Sequence, residues 1–208
     1  MTTNRKSNHS HFTARRTFIG SNELFIIDAD LIGQLIAERH PMIMVDLIID
    51  YKNSPIELSA ERYISANEPV FTCHFPNLKL WPGIYTIEGL RQCCEILDML
   101  QQLEEADLLD EIINFQKNKR LRSKVNKMLS PPVYSVIEEI RQTEPSPLKI
   151  RVKLLASVFA GCIIEYKVRQ LNKSEAHSWS VVAEVNGQIV AKGSISQNFS
   201  VLAGNYTS

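Results

Sequence analysis

The sequence predicts an α+β fold in which one long helix packs against a single antiparallel sheet, and three observations carry that prediction. Apolar residues recur at helical spacing from about Ile84 to Leu103 (Ile87, Leu90, Cys94, Leu97, Met99, Leu100), which implies a helix face buried against a sheet. Strand-like runs flank this segment on both sides, two before it and four after it. Asn186-Gly187, a strong two-residue hairpin signal, joins the last two runs. With 208 residues and 44% hydrophobic content the chain can bury one good core, so one domain with decorations is expected.

Residues 1–20 are polar and basic without periodicity and read as a mobile N-terminal tail, leaving 21–208 as the domain. The tail's His9 and His11 have no clustered partner ligands, so a solvated arm is the better reading than a metal site. Asp28 is placed to cap a short helix whose apolar positions are Leu31, Ile32, Leu35 and Ile36, and which ends before Pro41. Met42 to Ile49 is an apolar run interrupted only by Asp46 and predicts a strand buried on both faces. After Asn53-Ser54-Pro55, Ile56 to Ile64 predicts a second strand. Ser65 to Leu80 reads as an irregular loop, and Pro82-Gly83 as the turn into the long helix.

Residues 104–147 read as a helical insertion: an acidic run, a basic run, a break at Pro131-Pro132, and a short helix from Val133 to Arg141. The rest predicts strands at Leu148 to Ser157, Ile163 to Leu171, Trp179 to Val185 and Ile189 to Val201.

Composition narrows the functional classes. Twenty-three basic and 23 acidic residues give a net charge of zero, which argues against a protein-wide footprint for nucleic acid. The basic cluster from Lys117 to Lys127 lacks interleaved aromatics, and so reads as a solvated helix face or a dock for an acidic partner. Arg5, Lys6, Arg15 and Arg16 admit the same two readings. The four cysteines (Cys73, Cys93, Cys94, Cys162) match no zinc spacing, and the vicinal pair diverges on a helix, so a reduced chain is expected. No signal-like apolar core or membrane-length apolar run is seen; together these features predict a cytoplasmic protein with no membrane span and no metal.

The chemistry-bearing stretch is His74 to Gln92. It sets a histidine and a glutamate, Glu88, on either side of one Pro-Gly turn. A histidine takes up a proton near neutral pH, and a carboxyl group in an apolar site can keep one, so the two read as an acid/base pair. Gln92 is one helical turn after Glu88 and is placed to hold its carboxyl group. Cys73 reads as a small filler rather than a nucleophile, and His40 and His177 as structural.

Four pieces of text carry a family resemblance. Arg39-His40-Pro41-Met42-Ile43-Met44-Val45-Asp46 is similar to R-[YF]-P-x-L-x-V-D, and Asn67-Glu68-Pro69-Val70-Phe71-Thr72-Cys73-His74-Phe75-Pro76 to N-E-P-x-F-x-G-H-F-P. Pro82-Gly83-Ile84 with Glu88 and Gln92 is similar to P-G-V…E-A-x-x-Q, and Ala160-Gly161-Cys162 with 185–191 loosely follows the later strands. The chain thus resembles the 3-hydroxyacyl-acyl-carrier-protein dehydratases of type II fatty acid synthesis, which have the hotdog fold. Departures fall at Cys73 and Asn77, where the family has glycine, at Trp81 in place of methionine, and at Ala160 and Cys162 in place of proline and aspartate.

The resemblance implies that His74 removes the α-proton of a 3-hydroxyacyl thioester and that Glu88 protonates the departing hydroxyl. Backbone amides at Gly83 and Ile84 would steady the enolate, with Gln92 in support. Phe75 would line the acyl tunnel, and Trp81 and Tyr85 would either line it or pack a dimer core. The histidine and glutamate that meet would come from different subunits of a homodimer, alone or within a hexamer. Acyl carrier protein would be the partner, presenting the substrate on its phosphopantetheine, with no other cofactor. Glutamate at 88, where isomerising relatives carry aspartate, implies dehydration alone. A specialised polyketide, polyene or lipid pathway is expected from the altered loop. A hotdog thioesterase and a catalytically weak subunit that binds acyl carrier protein are the other readings.

Overall fold

The computed structural model describes residues 27–121, 129–142, 147–171 and 178–197. Its centre is a 23-residue helix, α2 (Gly83–Glu105). Ahead of it come β1 (Ile27–Asp28), α1 (Ala29–Leu35), β2 (Leu47–Asn53), β3 (Ile56–Tyr63) and a 3-10 turn (Pro69–Thr72). After it come α3 (Leu109–Leu121), α4 (Pro131–Gln142), β4 (Leu148–Leu154), β5 (Ile163–Gln170), β6 (Ser178–Val185) and β7 (Gln188–Gln197). The tail, His177, the strand expected beyond Gln197 and the side chains of the Lys117 to Lys127 cluster lie outside the described residues.

The seven strands form one antiparallel sheet in the order β1-β2-β3-β5-β6-β7-β4. Alternation decides what faces inward: Ile56, Leu58 and Ala60 of β3, Ile164 and Val168 of β5, and Trp179, Val181 and Ala183 of β6 are buried. This face packs on α2, which touches β3, β5, β6 and β7. One long helix cradled by one curved antiparallel sheet is the hotdog fold.

The other side of α2 meets α1, α3 and α4. That second cover explains why α2 buries residues round most of its circumference, Ile96, Met99 and Leu103 as well as Leu90, Cys93 and Leu97. Two polar ties dock the covering helices. Gln116 of α3 donates to Asp28 Oδ2 at 2.8 Å, while Asp28 Oδ1 caps α1 by accepting from Leu31 N. Arg141 of α4 donates to the carbonyls of Gln34 and Ile36, both at 2.8 Å, at the C-terminal end of α1.

Three boundaries differ from expectation. The apolar run from Met42 to Ile49 is not one strand, since β2 begins only at Leu47. Ile43, Met44 and Val45 are buried, but the amide of Met44 and the carbonyl of Met42 bond to the Gln92 side chain instead of to a neighbouring strand. Ladder pairing starts where Asp46 N donates to Glu61 O at 2.9 Å. The short helix expected from Val133 begins at Pro131, so that Pro131-Pro132 forms the first turn of α4, where positions have no intrahelical N–H bond to lose. The strand expected to reach Ser157 stops at Leu154, and the chain turns inward to bridge Phe159 with Leu80. At the β6–β7 hairpin the expected turn is present, with Asn186 at φ 51° and Gly187 at φ 79°.

Gly89 is a point of close approach between helix and sheet. A Cβ there would lie 2.3 Å from the Tyr166 hydroxyl and 2.5 Å from its ring. Tyr166 is fully buried, and its hydroxyl has no hydrogen-bond partner among the described residues. Alanine is the better helix former by about 1 kcal/mol, but overpacking against a ring that cannot retreat costs about 1–3 kcal/mol. Gly89→Ala is therefore expected to lower stability in urea unfolding by up to about 2 kcal/mol. Removing the unpartnered hydroxyl in a Gly89→Ala/Tyr166→Phe double variant is expected to recover part of the loss.

Candidate functional site

The loop after β3 is held by a charged anchor that the alternation of β3 places on its inner face. Following Ile56, Leu58 and Ala60, the next inward position is Arg62, buried beneath the Trp81 ring with its guanidinium 5.7 Å from the ring centroid. Its fork donates to Asp46 Oδ1 at 2.6 Å and to Glu68 Oε1 at 2.9 Å. Asp46 Oδ2 in turn accepts from Tyr63 N at 2.7 Å. The acidic residues of the Val-Asp and Asn-Glu-Pro motifs thus serve one buried cation and tie the segment entering β2 and the first part of the loop to β3.

That loop presents His74. Its amide donates to Val70 O at 2.9 Å, its ring stacks on Phe75 with centroids 4.6 Å apart, and Nδ1 lies 2.8 Å from Leu80 O. A carbonyl only accepts, so Nδ1 carries the proton and Nε2 of the neutral ring holds the lone pair. Sequence reasoning found His74 but not this orienting contact, which depends on how the loop folds back.

Glu88 sits in the second turn of α2, half-buried, and both its oxygens are occupied. Gln92 Nε2 donates to Oε1 at 2.9 Å. Arg91 Nε donates to Oε1 and Oε2 at 3.1 and 3.0 Å, and a terminal nitrogen of Arg91 reaches Oε1 at 2.8 Å. Arg91 also pairs with Glu38 and, at 2.9 Å, with Glu95. Burial by itself would lower the pKa of this guanidinium, but hydrogen bonding to Glu88 and the charges of Glu38, Glu88 and Glu95 outweigh it and raise it. Burial and then the Glu38 charge push Glu95 up from its ordinary value despite the Arg91 contact.

Gln92 is fully buried and makes three bonds: to Glu88, from Met44 N at 2.8 Å and to Met42 O at 2.7 Å. Within one chain, the structure brings Glu88 and Gln92 together, while His74 and Glu88 share no hydrogen bond. The Glu88, Arg91, Glu95 spacing was a readable sign of a helical charge cluster; the reach to Glu38 was not.

At the start of α2, Pro82 supplies no side-chain cap, so the first amides, Gly83 and Ile84 among them, have no partner inside the helix. Beside them lies a cavity of about 310 Å³, lined by Leu80, Trp81, Gly83, Thr86, Leu154 and neighbours on the 155–158 turn. Trp81 lines it and packs on Phe71 and Tyr85, whereas Phe75, Ile84 and Tyr85 are not part of its wall. The place of a Gly83 side chain is taken by Leu154, whose Cδ1 would lie 2.2 Å from a Cβ.

Comparison with known proteins fits this geometry. Residues 36–157 match the model of the FabA-like domain, and the chain belongs to that family. Among curated relatives, it is 38% identical over 77 residues to the 3-hydroxyacyl-[acyl-carrier-protein] dehydratase FabZ of Pseudoalteromonas translucida, covering 37% of this chain and 51% of the relative. To the FabZ of Colwellia psychrerythraea it is 44% identical over 71 residues, 34% of this chain and 47% of the relative. The chain spans about half the length of the curated relatives it matches. Among solved structures, the dehydratase heterocomplex ApeI:P from Xenorhabdus doucetiae matches with TM-score 0.45 at 12% identity, over 81% of this chain and 91% of that one. Cj0977, a sigma28-regulated virulence protein from Campylobacter jejuni, matches with TM-score 0.46 at 12% identity, over 81% and 85%.

Replacing Gln92 by leucine keeps the volume but strands Met44 N and Met42 O. Leaving such groups unsatisfied costs about 1–3 kcal/mol. Gln92→Leu is expected to lose about 2–3 kcal/mol in denaturant unfolding and to loosen residues 42–46 in hydrogen exchange.

Proposed function

We propose that the chain is a 3-hydroxyacyl-acyl-carrier-protein dehydratase, converting the 3-hydroxyacyl thioester to the trans-2-enoyl thioester. The observation that carries the reading is the pair of oriented groups at the two ends of the Pro82-Gly83 connection. His74 has Nδ1 committed to Leu80 O and Nε2 free to act as base, and the Glu88 carboxyl is fixed by Gln92 and Arg91. The dehydratases among its relatives support it in turn.

In this mechanism His74 Nε2 takes the α-proton, and the Cα–H electron pair becomes the C=C bond. The Cβ–O bond breaks, and the hydroxyl leaves as water with a proton from Glu88. Enolate charge that builds on the thioester oxygen meets the Gly83 and Ile84 amides at the N-terminal end of α2. A proton must then return from His74 to Glu88 before the next turnover. Acid and base are both side chains, so the reaction needs no cofactor beyond the phosphopantetheine that carries the substrate on acyl carrier protein.

We place the working site in a homodimer, with His74 and Glu88 of each site supplied by different chains. Phe75, Leu78, Ile84, Leu154 and Phe159 are exposed on the site loop, the helix start and the strand beside them, a patch of the kind that subunits cover. Four unpaired cysteines accord with a reducing, cytoplasmic location. The departures at Cys73, Asn77 and Trp81 support a specialised polyketide, polyene or lipid pathway, because Trp81 stands in the cavity wall.

The test is incubation with a 3-hydroxyacyl-pantetheine thioester, following absorbance of the conjugated enoyl product. Wild type is expected to turn over, and His74→Ala and Glu88→Gln each to lose about 10²–10⁴-fold in kcat. Activity that survives both substitutions would sink the assignment. Thiol release without enoyl product would make the chain a thioesterase, and binding without turnover a non-catalytic acyl-carrier-binding subunit.

A further inference from the structure

Arg91 occupies a position that the motif leaves unspecified, and it takes no proton in the proposed mechanism. It is nevertheless the most heavily contacted cation of the site. One guanidinium serves Glu38, Glu88 and Glu95, whose side chains are only 20–30% exposed along with its own. As a device for stability this is poorly balanced, since three carboxylates crowd one positive charge and Glu38 Oε2 is buried without a hydrogen-bond partner among the described residues. As a device for fixing one carboxyl group it is well made. Glu88 Oε1 receives Gln92 Nε2 and two Arg91 nitrogens, while Oε2 receives only Arg91 Nε at 3.0 Å. An oxygen already holding three donors has no lone pair left for a proton, so the acid form of Glu88 carries its proton on Oε2.

Arg91 is in turn held from outside the site. Glu38 follows α1 on a segment whose carbonyls are gripped twice. Arg39 donates to Ile36 O, Ala37 O and Glu38 O, and Arg141 of α4 donates to Gln34 O and Ile36 O. A continuous run of contacts therefore leads from α4, within the helical insertion, through residues 36–38 to Arg91 and Glu88.

We propose that Arg91 is a positioning residue that presents Glu88 Oε2 as the proton-bearing oxygen and compensates the carboxylate left after the hydroxyl departs, with Glu38 as its anchor. This rests on Glu88 being the acid of the dehydratase reading. Truncating Arg91 then misplaces an otherwise intact acid, a kind of error that costs up to about 10²-fold in rate.

The experiment measures wild type, Glu88→Gln, Arg91→Ala, Arg91→Lys and Glu38→Gln with the 3-hydroxyacyl-pantetheine thioester, with folding checked by circular dichroism. Arg91→Ala is expected to lower kcat about 10- to 100-fold while KM stays within about twofold. Added guanidinium ion is expected to restore part of that rate. Arg91→Lys should fall between, because an ammonium cannot span both oxygens, and Glu38→Gln should show a smaller loss with the same kcat signature. Crystal structures of wild type and Arg91→Ala give a readout independent of turnover, in which the Glu88 carboxyl is expected to rotate away from its wild-type direction. An active wild type, a dead Glu88→Gln and an Arg91→Ala with unchanged kcat would overturn the inference and leave the dehydratase reading standing. A wild type without turnover removes the dehydratase reading, and an unmoved Glu88 in Arg91→Ala then overturns the positioning role as well.

Discussion

A primary amide can donate twice and accept twice, and the fully buried side chain of Gln92 uses both donors and one of the acceptor positions. It accepts from Met44 N and donates to Met42 O and to Glu88 Oε1. Those three bonds join an irregular segment, the central helix and the Glu88 carboxyl into one unit. Without them, the buried backbone between α1 and β2 has no strand to pair with, and the Glu88 carboxyl loses a donor that fixes its plane. The helix can offer such a residue at its own expense because it is packed on all sides, by the sheet on one and by α1, α3 and α4 on the other. Burial makes the amide's bonds strong, and it makes leaving them unmade costly.

Charge is handled by the same logic in two places. Arg62 stands on the core face of β3 and is tolerated there because Asp46 and Glu68 meet its fork and Trp81 covers its plane. Arg91 stands on α2 and gathers three carboxylates, Glu88 among them. The first network closes a loop against a strand and so sets where His74 emerges. The second sets how Glu88 points. His74 and Glu88 are thus placed by separate cations attached to separate elements, an arrangement suited to the two-subunit site proposed above.

Much of this was legible in the chain, and the reasons are local. Asn186-Gly187 fixes its hairpin because positive φ at two successive residues leaves few alternatives, and Asp28 caps α1 because its side chain reaches an amide three residues on. The family of the chain was readable from the motifs around His74 and Glu88. What failed was local inference about contacts made at a distance. Met42 to Asp46 has the composition of a strand, but its backbone partner is a side chain 48 positions away. Arg62 could have been flagged as a charge in an apolar alternation. Glu38, 53 residues from Arg91, carries no local mark at all.

Leu154 fills the space that Gly83 leaves empty, and it is itself half exposed at the end of β4. The wall of the cavity beside Gly83 is therefore a single aliphatic side chain on an edge strand, not backbone. Such a wall can be widened, narrowed or reshaped by one codon without disturbing the helix, the loop or Glu88. Under the dehydratase reading proposed above, the acyl groups accepted could then change while His74, Glu88 and Gln92 stay as they are.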